Sequence, residues 1–148
     1  MIDTPDAARA WADATRAAGR TIALAPTMGA LHRGHLELID AARRHADRVV
    51  VSIFVNPLQF GEHGDFDQYP RPLDDDLLAC EAAGVDAVYV PTAAAMYPAG
   101  FATTVHVVGL SDTMEGGSRP GHFDGVATVV TKLLAQCGPD ARTSTSCP

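Results

Sequence analysis

The sequence predicts an α/β fold built on a doubly wound, mostly parallel sheet. Two observations carry this class. Short apolar runs at residues 21–26 (TIALAP), 48–55 (RVVVSIFV) and 86–91 (DAVYVP) show little of the polar alternation of a half-exposed strand, and strands covered on both faces read this way. Segments of helical period lie between them, so strand and helix alternate along the chain.

The elements follow in order. Thr4 is an N-cap candidate, Pro5 suits the first helical position and Asp6 places an acid in the first turn; the helix then runs through ARAWADATRAA and stops at Gly19. After the strand at 21–26, HLELIDAARRHA sets Leu36, Ile39 and Ala42 at helical spacing, with Leu38 nearby, and ends in basic residues that complement a helix C-terminus. The strand at 48–55 completes a βαβ unit. A second helix from Pro72 to Gly84 and a strand at 86–91 repeat the pattern. Beyond them, residues 103–109 (TTVHVVG) predict a strand, 115–121 (EGGSRPG) a loop and 123–136 (FDGVATVVTKLLAQ) a helix. Residues 139–148 (PDARTSTSCP) are polar and aperiodic, which predicts an irregular or disordered tail after one domain at 1–138.

Charge and composition exclude several classes. Apolar residues make up 47% and charged residues 20%, as in ordinary globular proteins. The formal net charge is −7 and no Lys/Arg block occurs, which argues against a nucleic-acid surface. No apolar stretch approaches the roughly 18 residues of a membrane span, and the N-terminus lacks a secretory pattern, so a cytoplasmic location is expected. The three cysteines, Cys80, Cys137 and Cys147, show no C-x-x-C spacing, which argues against a disulfide framework or a zinc site; Cys80 sits among apolar residues and is expected to be buried.

The chemistry concentrates after the first strand, in APTMGALHRGHLELI (residues 25–39). In open α/β sheets ligands sit beyond the carboxyl ends of the strands. Gly29 and Gly34 allow tight turning and close backbone approach, and a helix starting near Gly34 aims unpaired N–H groups at whatever lies in the turn. His32 and His35, three apart, can both donate to phosphate oxygens and are expected to become cationic as charge develops on a leaving pyrophosphate. Alternatively, two histidines at this spacing simply cap a helix. Asp74, Asp75 and Asp76 read as the acidic first turn of a helix, or as a magnesium cluster; the first-turn reading is preferred. Asn56 precedes Pro57 and either shapes the turn or contacts a ligand. Gln59 follows a buried strand, and on its own would read as a solvated loop residue.

PTMGALHRGH resembles the H-x-G-H nucleotide-binding turn of the nucleotidyltransferases, and in its longer form the turn of the pantoate–β-alanine ligase family. SIFVNPLQF (52–60), DFDQYPR (65–71), AAMYP (94–98) and RPGHFDGVATVVTKLL (119–134) are similar to the same family in the same order, so the resemblance spans 21–134. It implies a Rossmann-like domain and an ATP-dependent joining of pantoate to β-alanine through pantoyl adenylate, with Mg2+ and a homodimer. It also implies that Met28, Gly29, Ala30, Leu31, His32, Arg33, Gly34 and His35 bind ATP. His35 would be the proton donor, with His32 its partner on the phosphates. Gln59, with Met28 and Asn56, would bind pantoate. No protein metal ligand is carried over.

The chain departs from the family at its end. Members are about twice as long, with a second domain. They continue into a G-E-K-D-x-Q-Q motif and an S-S-R-N-type loop, where this sequence has ARTSTSCP. Those absences predict an incomplete domain, doubtful catalysis and an unpaired sheet edge, as in a truncated or frameshifted product. Another H-x-G-H nucleotidyltransferase and a noncatalytic nucleotide-binding fragment are the alternative functions.

Overall fold

The computed structural model describes residues 1–60, 66–108 and 121–142, and of Asp67, Ala141 and Arg142 only the backbone. Helix α1 (Pro5–Ala17) leads into strand β1 (Ile22–Thr27), helix α2 (Arg33–His45) and strand β2 (Arg48–Ile53). Two short 3-10 turns, Pro57–Gln59 and Phe66–Gln68, precede helix α3 (Leu73–Ala82) and strand β3 (Ala87–Tyr89). The short helix α4 (Ala93–Met96), helix α5 (His122–Cys137) and strand β4 (Ala141–Arg142) complete the described chain. Thr4 caps α1 as its sequence position predicts, accepting from the Ala7 amide at 3.3 Å.

The strands form a parallel sheet in the order β3-β2-β1-β4. Alternate residues of β1 face opposite layers. Ile22 and Leu24 pack with Val50 and Phe54 against Ala8 and Ala12 of α1 and Val129, Leu133 and Cys137 of α5. Ala23 and Ala25 pack with Val49, Val51 and Ile53 against Leu38, Ile39 and Ala42 of α2 and Cys80 of α3. Helices thus cover both faces, which is why these strands lack polar alternation. Each fully buried Val, Leu or Ile side chain contributes about 1.5–3 kcal/mol of transfer free energy to this arrangement. No described helix is long and apolar enough to cross a membrane.

Several expectations change. Leu36, expected on the inner face of α2, is exposed; Leu38 is buried instead, because the helix begins at Arg33 and its inward stripe runs through Leu38, Ile39 and Ala42. Residues 103–108 are not a strand. Their polar groups turn to side chains of α5: the Val105 amide donates to Thr128 Oγ1 at 2.9 Å, and His106 pairs with Asp124 at 2.9 Å. The stretch expected to be irregular from residue 139 begins with a sheet connection. The Asp140 amide donates to the Ile22 carbonyl, the Ile22 amide donates to the Asp140 carboxylate, and Ala141–Arg142 then pair with β1. Its polar composition hides this, since the pairing uses backbone groups. The N-terminus adds a bridge that no sequence pattern signalled, with Ile2 hydrogen-bonded to Val88 and Val90 beside β3. The remainder of the tail (143–148) and residues 115–120 of the predicted loop lie outside the described residues.

The strand order has one functional consequence. From β1 the chain proceeds to β2 and β3 on one side, and it later returns to place β4 on the other. The carboxyl end of β1 is therefore a topological switch point, where an open sheet leaves a crevice for ligands.

Candidate active site

The turn after β1 is built from short-range contacts, one bond to β2 and one carboxylate from α3. Thr27 Oγ1 donates to the Ser52 carbonyl at 2.8 Å and accepts from the Gly29 amide at 3.2 Å. Gly29 and Ala30 both have positive φ, 88° and 51°, so the backbone turns through the left-handed region twice in succession. Asp76, only 3% exposed, accepts from the next two amides, Ala30 at 2.9 Å and Leu31 at 2.7 Å.

The two histidines then close a reciprocal cap on α2. His32 Nδ1 accepts from the Gly34 amide at 3.1 Å, and His35 Nδ1 accepts from the His32 amide at 3.3 Å. The capping alternative is thus real, and it fixes the orientation of both imidazoles. With Nδ1 of each ring accepting, each neutral ring carries its proton on Nε2. The rings lie 4.1 Å apart, centroid to centroid. Burial, then the neighbouring His32, lower the His35 pKa, with the Asp76 charge opposing them. A second proton on His35 would set Nδ1–H against the amide that now donates to it.

The turn after β2 is held from farther away. Asn56 is 1% exposed and fully engaged: Oδ1 accepts from the Tyr97 hydroxyl at 2.7 Å and the Leu58 amide at 3.3 Å, while Nδ2 donates to Gln59 Oε1 at 3.1 Å and the Gly125 carbonyl at 3.0 Å. Burial pushes the Tyr97 hydroxyl up to about 12, so it stays a donor at neutral pH. Gln59 Nε2 points at Met28 Sδ, 2.8 Å away, and its carbonyl meets His122 Nδ1 at 2.8 Å. Gly125 lets α5 approach closely, since a Cβ there would lie 2.3 Å from the Leu58 carbonyl oxygen.

These turns meet at a cavity of about 260 Å³ whose walls include Met28, His35, Asn56, Gln59 and Tyr69, with Val126, Val129 and Val130 of α5 as an apolar floor. Burial and the Asp76 charge raise the Tyr69 pKa, which keeps it a neutral hydrogen-bond donor. An apolar cavity with a few convergent polar groups is the usual form of a small-molecule site. A larger cavity, about 350 Å³, lies beyond Met28 toward Phe66, Arg71 and Val90, and neither histidine lines it. His35 and the side-chain amides of Asn56 and Gln59 line the smaller one.

The pantoate–β-alanine ligase family model matches residues 1–143. The chain belongs to the pantoate–β-alanine ligase family. Pantothenate synthetase of Paramagnetospirillum magneticum is 56% identical over 140 residues, covering 95% of this chain and 49% of that protein. The Mycolicibacterium smegmatis pantothenate synthetase is 59% identical over 128 residues, covering 86% of this chain and 41% of that protein. Among solved structures, a pantothenate synthetase from Thermus thermophilus superimposes with a TM-score of 0.88 at 45% identity, covering 95% of this chain and 50% of that one. The Francisella tularensis pantoate–β-alanine ligase, complexed with β-γ ATP and β-alanine, has a TM-score of 0.88 at 37% identity and coverage of 96% and 55%. This chain spans about half the length of these relatives.

Within this family member, the structure gathers Met28, His35, Asn56 and Gln59 at one cavity and sets His32 beside His35. Arg33 stands apart: its side chain is 92% exposed and pairs with Glu37 at 2.8 Å on the surface of α2. The Ala30 and Leu31 amides face Asp76. Sequence reasoning missed Tyr69, Tyr97 and Gly125 and read Asp76 only together with its neighbours; by sequence His122 could either face the site or cap its own helix, and the structure sets its Nδ1 2.8 Å from the Gln59 main-chain carbonyl. Asp76 alone left a usable signal, since it stands four residues before Cys80, the position already read as buried, and so shares its helix face. The preferred reading of the aspartates holds in part. Asp74 and Asp75 are first-turn acids outside the core, while Asp76 turns inward. Among the described residues no group of three or more His, Cys, Asp or Glu side chains could hold a metal ion.

Proposed function

We propose that this chain forms the nucleotide- and pantoate-binding half of an ATP-dependent pantoate–β-alanine ligase. The observation that carries the reading is the pair of histidines, each accepting a backbone amide on Nδ1, with His35 in the wall of a cavity that Met28, Asn56 and Gln59 also line. In the first step a pantoate carboxylate oxygen attacks the α-phosphorus of ATP. A C–O–P bond forms, the bond from that phosphorus to the bridging oxygen breaks, and pyrophosphate leaves with the electron pair. In the second, the β-alanine amine attacks the acyl carbon, the C–O bond to AMP breaks, and the amine releases a proton.

The residues divide the work. His32 and His35 donate from Nε2 to the triphosphate oxygens, a stabilisation that grows as charge develops on the leaving group. His35 acts at neutral pH as a hydrogen-bond donor. Gln59, oriented by Asn56, offers its amide to pantoate hydroxyl or carboxylate groups, and Met28 covers the apolar gem-dimethyl body. Mg2+ would arrive with the nucleotide, held by phosphate oxygens and water, because the described residues do not converge on a metal. A cytoplasmic location, checked by cell fractionation, and homodimerisation, checked by analytical ultracentrifugation, belong to the same reading.

Pantoate-dependent exchange of labelled pyrophosphate into ATP tests the proposal. Exchange that requires pantoate and is abolished by His35→Ala supports it. ATP binding with no exchange, or exchange indifferent to pantoate, overturns it in favour of a noncatalytic module or another nucleotidyltransferase.

A further inference from the structure

Resting on that reading, we infer that Asp76 is a positioning residue that holds the histidine turn in its phosphate-binding shape and occupies the two amides that would otherwise serve the phosphate. A carboxylate 3% exposed loses most of its hydration, and such a charge is tolerated only where donors replace the water. Among the described residues no cation pairs with Asp76; its two oxygens each take one backbone amide, Ala30 on Oδ2 and Leu31 on Oδ1. Bonds of this kind, to an ionised acceptor, are about twice as strong as neutral ones.

The location of the bonds assigns the role. Ala30 has φ 51°, a left-handed conformation that L residues seldom adopt, and the adjacent Gly29 has φ 88°. A Cβ on Gly29 would lie 2.9 Å from Asp76 Oδ2, so the turn is wound directly against the carboxylate. Two residues further on, the His32 amide must point at His35 Nδ1 for the tautomers to be fixed. Releasing Ala30 and Leu31 from Asp76 frees the backbone immediately before that amide. Consecutive amides around a left-handed residue form an anion-binding nest. Here the protein's own carboxylate fills it, so the triphosphate is left to the imidazoles and the start of α2.

The test uses the 148-residue chain labelled for NMR. In the wild type, couplings across the hydrogen bonds from the Ala30 and Leu31 amides to the Asp76 carboxyl carbon are expected; their absence overturns the inference without any variant. Asp76→Asn keeps the shape and loses one acceptor. The expected result is a folded chain whose His32 and His35 ring nitrogens lose their fixed Nδ1-acceptor shifts, and whose Mg·ATP affinity falls about tenfold while pantoate affinity is unchanged. Asp75→Asn, at a neighbour outside the turn, leaves all of these as in the wild type. An Asp76→Asn chain with a lower Tm but unaltered histidine shifts would reduce Asp76 to a structural role and overturn the inference. The ring shifts need no nucleotide, so wild-type failure to bind ATP would count against the proposed function alone.

Discussion

The turn after β1 and the turn after β2 contribute to one cavity but are held in different ways. In the first, many partners are close in sequence: Thr27 to Gly29, His32 to Gly34 and His35 to the His32 amide, with Asp76 and the Ser52 carbonyl as distant braces. In the second, Asn56 and Gln59 depend on Tyr97, His122 and Gly125, 41 to 69 residues away. The first turn can take much of its shape from local geometry. The second exists only when α5 is docked, so its half of the site should be lost earlier when packing is disturbed.

The contrast is most exposed to attack at the α5 contact. Gly125→Ala would drive a Cβ into the Leu58 carbonyl, and the expected loss is about 3 kcal/mol of stability by urea denaturation, with pantoate binding lost before ATP binding. Asn56→Ala removes four hydrogen bonds and strands the Tyr97 hydroxyl; about 2 kcal/mol is expected, together with a disordered Gln59 side chain visible in the amide spectrum. Gly29→Ala strikes the local turn, where a positive φ and the close Asp76 oxygen predict about 1.5 kcal/mol and weakened ATP binding with pantoate binding retained. Ala30→Gly relieves the left-handed strain at φ 51° but frees the unfolded chain, leaving a net gain of about 0.5 kcal/mol or less in thermal denaturation.

Dependence on pH separates the two turns further. The His35 pKa lies below its ordinary value of 6.5, so the neutral donor is complete at neutral pH and is lost as pH falls through the lowered pKa. Because the folded chain disfavours the second proton, His35 also withdraws stability as pH falls below 6.5. The acid limb of pyrophosphate exchange should therefore fall below 6.5. His32→Asn, removing one cause of the depression, should move that limb upward. A limb that stays in place would show that the rings do not interact.

What could be read from sequence follows the same division. The alternating apolar runs and capped helices announced the layers because strands buried on both faces and helices buried on one leave periodic traces. The H-x-G-H turn was legible because glycine, histidine and helix start are neighbours. The β2 turn was legible only through the family resemblance: taken by themselves, Asn56 and Gln59 looked like ordinary loop residues until Tyr97, His122 and Gly125 were brought beside them. Residues 103–108 misled for the opposite reason. Their β-branched composition suits a strand, but Thr128 and Asp124 of α5 take their polar groups first. Asp76 was read with its exposed neighbours because three consecutive acids look alike, and only helix phase separates the one that turns inward.

If both turns serve one site, the histidines face nucleotide and Gln59 faces pantoate. Titrating the labelled 148-residue chain separately with Mg·ATP and with pantoate, and following side-chain shifts, decides this. ATP should move the His32 and His35 ring signals, and pantoate should move the Gln59 amide and the Met28 methyl. Pantoate shifts confined to Phe66, Arg71 and Val90 of the larger cavity, or histidines indifferent to ATP, would show that the two turns do not share a site.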